Sequence, residues 1–146
     1  MRANERISEA VASLFRIAAA SKAAAAYALG PIQMNRFTKI QARLNIGAIS
    51  GGATVDGAWY ASTTSGGSYT KIPSTDQTQV TATPTNIITS EITAETVLNA
   101  GLGNFVKYQI TVATAAVVLG AELIGGPSHY DPASDYGLTP DQAQYF

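Results

Sequence analysis

The sequence predicts a mainly β protein: a single β-sandwich or jelly roll with an N-terminal helix or arm and an extended C-terminal tail. Three observations predict it. Short segments of apolar and polar alternation recur through the middle of the chain, the period expected of half-buried strands. Breaks rich in Gly, Pro and Ser separate them, which is the spacing of an all-β domain. No strand-like segment passes through a Gly-rich turn into a long helix, as an α/β fold requires. The expected division is an N-terminal helix or arm over 1–22, a sandwich over 23–126 and a C-terminal arm over 127–146.

At the start, Ile7, Val11, Leu14 and Phe15 recur at helix-like spacing with Ala in the gaps, predicting a short amphipathic helix or an arm that orders on a neighbour. Ala23 to Leu29 fits helix or edge strand equally. After Gly30-Pro31 the period becomes two. Ile40, Ala42, Leu44 and Ile46 alternate with Lys39, Gln41, Arg43 and Asn45, so 37–46 reads as a strand with one dry and one wet face. In the next strand, 54–63, Val55, Gly57, Trp59 and Ala61 share one face, with Trp59 as the largest core side chain.

Ser65-Gly66-Gly67-Ser68 predicts a turn, 69–72 a short return strand, and Pro73 its end. Strands follow around 77–83 and over 86–93, the latter dense in β-branched residues. The stretch 94–98 is ambiguous and leads to a Gly101-Leu102-Gly103 turn. In 105–112, Val106, Tyr108, Ile110 and Val112 alternate with Lys107, Gln109 and Thr111. The near-continuous apolar run of 115–124 predicts an inner strand or one covered on both faces. Beyond Gly126, three prolines and the aromatics Tyr130, Tyr136, Tyr145 and Phe146 form a tail without periodicity. Rings of this kind anchor interfaces, so the tail is expected to dock on its own domain or a neighbour.

Composition narrows the function. A chain of 146 residues suffices for one core, burying roughly two thirds of the unfolded surface. Charged residues are only 13% of it, about half the usual share, which suits a surface that ends up against neighbours. Charge is also unevenly spread. The first 43 residues carry seven basic and two acidic side chains; the rest carries two basic and eight acidic. Opposite-sign contacts between subunits would follow if the two regions lie on different surfaces. The basic residues are single rather than clustered and lack an aromatic ladder, so direct nucleic-acid binding is not expected. Arg16 and Lys22 interrupt the alanine-rich stretch 10–28, which therefore reads as neither membrane span nor secretory leader.

The residues for catalysis are sparse. There is no cysteine and one histidine, His129, too few for zinc or thiolate chemistry. A triad could be written with His129 and one of many serines, but nothing in the spacing selects the partners. Glu91 and Glu95 are a close acidic pair in the latter half and read as surface residues rather than glycosidase carboxylates. Asp56, Asp131 and Asp135 lack the dense Asp-Asn-Gly loop of a calcium site. The glycine pairs 51–52 and 66–67 match neither phosphate-binding pattern. No enzyme activity, cofactor or metal is expected.

Several features in order resemble a family. Gly30-Pro31-Ile32-Gln33-Met34 leads into 37–46; Ala58-Trp59-Tyr60-Ala61-Ser62 precedes a polar Gly/Ser turn; Phe105-Val106-Lys107-Tyr108-Gln109-Ile110-Thr111-Val112 is followed by 116–123 and Gly125-Gly126-Pro127-Ser128-His129-Tyr130. Over roughly residues 24–132 the chain resembles small virion structural proteins of tailed bacteriophages, most of all head decoration or cement proteins. The resemblance implies a β-sandwich or jelly roll on the outer surface of the phage head. Its implied partners are the major capsid protein and copies of itself, as a dimer or trimer, without nucleic acid or membrane. A neck, tail or baseplate protein and a carbohydrate- or receptor-binding module are the alternatives. The candidate interface residues are Arg2, Arg6 and Arg16 at the front and Tyr130, Tyr136, Tyr145 and Phe146 at the end.

Overall fold

A computed structural model describes residues 11–128. Within them run β1 (Ala12–Lys22), β2 (Ala25–Gln33), β3 (Phe37–Ile46), β4 (Thr54–Ser62), β5 (Thr70–Lys71), β6 (Ile88–Thr93), β7 (Phe105–Ala113) and β8 (Val117–Ser128). One 3-10 turn, Met34–Arg36, joins β2 to β3, and one helix, α1 (Ala94–Ala100), joins β6 to β7. The strands form two antiparallel four-stranded sheets, ordered β1-β8-β3-β6 and β2-β7-β4-β5. First pairs with last, second with seventh, third with sixth and fourth with fifth. That is one long antiparallel ribbon, rolled so that β8 also meets β3 and β7 also meets β4: the winding of a jelly roll.

The alternating strands behave as their sequence predicts. β3 buries Ile40, Ala42, Leu44 and Ile46, β4 buries Val55, Trp59 and Ala61, and β7 buries Val106, Tyr108, Ile110 and Val112. Each fully buried side chain of this size contributes roughly 1.5–3 kcal/mol against the cost of ordering the chain. β8 is an inner strand between β1 and β3, but Val118 on its outer face remains exposed. Its apolar run therefore reflects a central position and not cover on both faces.

Three expectations are corrected. The helix or arm over 1–22 is, in its described part, strand β1 (Ala12–Lys22), paired within the sandwich, and β8 runs on to Ser128. The helix-like spacing has a β explanation. A bulge between Ser13 and Phe15 lets Phe15 face Leu123 while Leu14 is also buried, so two successive apolar residues reach the core. Gly30-Pro31 is not a break before the sheet but lies inside β2, at its own register shift between Leu29 and Ile32. The segment around 77–83 is not a full strand. It touches β4 through the Val55–Val80 bridge and the Gln77 N–H donated to the Gly57 carbonyl at 2.8 Å, and only Val80 of its side chains packs against the core.

The ambiguous stretch after β6 resolves as α1. The Thr93 hydroxyl accepts the Thr96 N–H, and Gly101, at φ +67°, ends the helix by returning its own N–H to the Leu98 carbonyl.

Trp59 and Tyr108 form the centre of the core. Trp59 is 1% exposed, and its ring meets Tyr108 edge-on at 5.0 Å between centroids. Each polar atom is satisfied: the Trp59 indole N–H donates to Ser90 Oγ at 3.0 Å, and the Tyr108 hydroxyl donates to Gln77 Oε1 at 2.6 Å. Gly57 makes this arrangement fit, since a Cβ there would collide with the Tyr108 hydroxyl. Burial pushes the Tyr108 phenol up to about 12, with the Ser90 hydroxyl acting in the opposite direction.

Candidate functional site

Glu91 is exposed and pairs with Lys39 at 3.5 Å, and Glu95 sits in the first turn of α1. Asp56 accepts the Gln79 amide at 3.0 and 3.1 Å. Among the described residues no group of three or more His, Cys, Asp or Glu side chains could hold a metal ion. No helix among them is long and apolar enough to cross a membrane. His129, Asp131 and Asp135 lie outside the described residues.

One side of the sandwich is made by β1 and β2. Among the described residues each is the outermost strand of its sheet, and the two are consecutive, so their outer edges lie on the same side. Along them Ala18, Ala19, Ala20, Ala23, Ala24, Ala25, Ala26 and Ala28 are all exposed. Alanine loses no rotamer freedom when buried, so a partner covering this side pays little ordering cost per residue. Bulges interrupt both edges, between Ile17 and Ala20 and between Leu29 and Ile32. They hinder straight strand addition and favour face-on packing.

Next to this side, on the outer face of the first sheet, charge collects across three strands. Arg16 on β1, Glu122 on β8 and Arg43 on β3 stand opposite one another in register. Glu122 Oε1 accepts the Ser13 hydroxyl at 2.7 Å, and Arg43 Nε donates to Gln41 Oε1 at 2.8 Å. A groove of about 420 Å³ runs along Arg16 and Arg43 and ends at exposed Ile87. Arginine beside an apolar side chain is a composition favoured in protein interfaces.

Two further features sit elsewhere. On the outer face of the second sheet, Lys107 Nζ lies 4.6 Å from the Tyr69 ring centre and 5.8 Å from that of Tyr60, at cation–π distance. Lys71 beside them holds Asp76 at 2.9 Å, which raises its ammonium pKa. At the end of the sandwich where β8 finishes, a mainly apolar groove of about 580 Å³ lies between α1, the Met34 turn and Thr63.

Of the expected interface residues, only Arg16 is among those described, and it is exposed on the first sheet. Arg2, Arg6, Tyr130, Tyr136, Tyr145 and Phe146 lie outside the described residues. Sequence reading missed Arg43, Glu122 and the exposed alanines as parts of one surface. Only the rolled topology places β1 at an edge beside β2. No protein-family model matches the chain, and comparison with curated proteins yields no match.

Proposed function

We propose that this chain is a non-catalytic structural protein of a tailed-phage virion. In this reading it decorates or cements the head by packing against the major capsid protein and copies of itself. The open side built by β1 and β2 carries the reading: two long sheet edges and eight exposed alanines form a low-charge flank suited to lasting cover by protein. The Arg16, Glu122 and Arg43 row beside it offers polar contacts that set register with a partner. Sequence resemblance over roughly residues 24–132 supplies the phage assignment. The jelly-roll winding agrees with it but also serves lectins and cupins.

Repeated weak contacts strengthen such a coat, because after one forms the others act at high effective concentration. A carbohydrate-binding role would draw on the Tyr60, Lys107 and Tyr69 group. It loses its best platform because Trp59 is enclosed by the core. Electron microscopy of particles carrying and lacking the protein is the test. Regular density on the head surface that disappears on deletion is the expected result; density lost from the tail alone would overturn the head assignment.

A further inference from the structure

We propose that the C-terminal segment 129–146 of the same chain docks in the apolar groove beside α1. Met34, Val97, Leu98, Gly101 and Asn104 line that groove. Val97 is buried and belongs to the core, whereas Leu98 is 79% exposed, the most exposed large apolar side chain among the described residues. A leucine this open next to a mainly apolar groove marks a surface built for cover.

Chain direction names the cover. β8 runs toward this end of the sandwich and its last residue, Ser128, pairs with Phe37. Phe37 directly follows the 3-10 turn Met34–Arg36, whose first residues form one wall of the groove. The chain beyond Ser128 therefore starts next to the turn that walls the groove. Eighteen residues follow, enough to span roughly 60 Å when extended, so reach is not limiting.

The composition of that segment fits the groove. It carries Tyr130, Tyr136, Leu138, Tyr145 and Phe146, with Pro132 and Pro140 reducing the freedom lost on ordering. β1 begins near the same pole, because Ala12 pairs with Gly125, and residues 1–10 precede it in sequence. They hold Arg2, Glu5, Arg6 and Glu9 and only Met1 and Ile7 as large apolar side chains, a poorer match to an apolar groove. Tethering favours the segment of the same chain over that of another copy, since its local concentration about the groove is high at any dilution.

The cysteine-free sequence allows a direct test on the full-length chain. A nitroxide attached through Ala143→Cys should selectively broaden the amide NMR signals of Val97, Leu98, Gly101 and Asn104, and spare those of Gly51, Gly52 and Thr114 at the opposite end. Leu98→Glu, at an exposed position that leaves folding intact, should abolish the selective broadening while the Trp59 indole signal stays in place. Mixing isotope-labelled chains lacking the nitroxide with unlabelled chains carrying it should give no broadening. Broadening in that mixture would assign the groove to the arm of a second copy and overturn the proposal. Absence of selective broadening in the single-chain sample, or its persistence in Leu98→Glu, would also overturn it.

Discussion

The two flanks of this sandwich are finished differently. On the β4–β5 flank, β5 has only two residues, but the segment behind it closes the rest of the β4 edge. Ile72 N–H donates to the Trp59 carbonyl at 2.9 Å, the Trp59 N–H to Thr75 Oγ1 at 3.2 Å, Gln77 N–H to Gly57, and Val80 exchanges both bonds with Val55. On the β1–β2 flank, strands of eleven and nine residues present their outer edges with alanines alongside. Exposed edges are a hazard that free-standing proteins cover, charge or shorten. Among the described residues one edge is covered by a dedicated loop and the longer pair is not: the first flank serves the fold, and the second is where the proposal places a partner.

Substitutions should separate these purposes. The largest effect is expected in the core next to the closed flank. Trp59→Ala removes the main ring contact of Tyr108 and leaves Ser90 without its donor, and should cost about 3–5 kcal/mol, read as a shift in the urea midpoint with native-like slope. A loss under about 1 kcal/mol would show that the core does not depend on this pair.

Alkaline titration should produce the next largest effect. The Tyr108 phenol ionises near 10 when unfolded and near about 12 when folded, so between those values the folded state holds the proton that the unfolded state has released. Stability should be fully present below pH of about 10 and fall by up to about 2–3 kcal/mol as pH rises through about 12. Tyr108→Phe should remove that part of the slope. An unchanged slope in the variant would assign the alkaline loss to other groups.

The smallest effect on folding is expected on the open flank, where Ala19→Lys combined with Ala26→Lys should change stability by within about 0.5 kcal/mol. The same pair should abolish incorporation into particles or self-association, measured by sedimentation velocity. Retained assembly would show that this flank is not the interface.

How far the sequence could be read follows from how each segment buries its side chains. β3 and β7 were legible residue by residue, since each places every second side chain in the core and alternation is then imposed by geometry; β4 was legible on its Val55, Trp59 and Ala61 face, while Ala58 and Ser62 are buried on the other. β1 was not. Alanine favours helix in isolation, and the bulge at Ser13 to Phe15 disguises the period of two, so the strand is set by pairing with β8 across roughly 100 residues of sequence. The segment after Pro73 carries β-favouring threonines yet forms only a single bridge, because strand formation needs something to pack on as well as propensity. The open flank left no local signal, since exposed and buried alanines look alike until topology makes β1 and β2 outermost. Trp59 was readable as core because its apolar neighbours sit at the same parity.

Polarity along the strand axis sets how this protein could be used as a carrier. β1 begins and β8 ends at one pole, where Ala12 faces Gly125, while the corners at Gly51-Gly52 and Thr114 lie at the other, with Thr54 paired to Ala113 just inside them. A passenger domain joined directly ahead of Ala12 or after Ser128 would leave from the same pole. A peptide inserted between Gly51 and Gly52 would instead be displayed from the opposite one, so two cargoes could be carried without meeting.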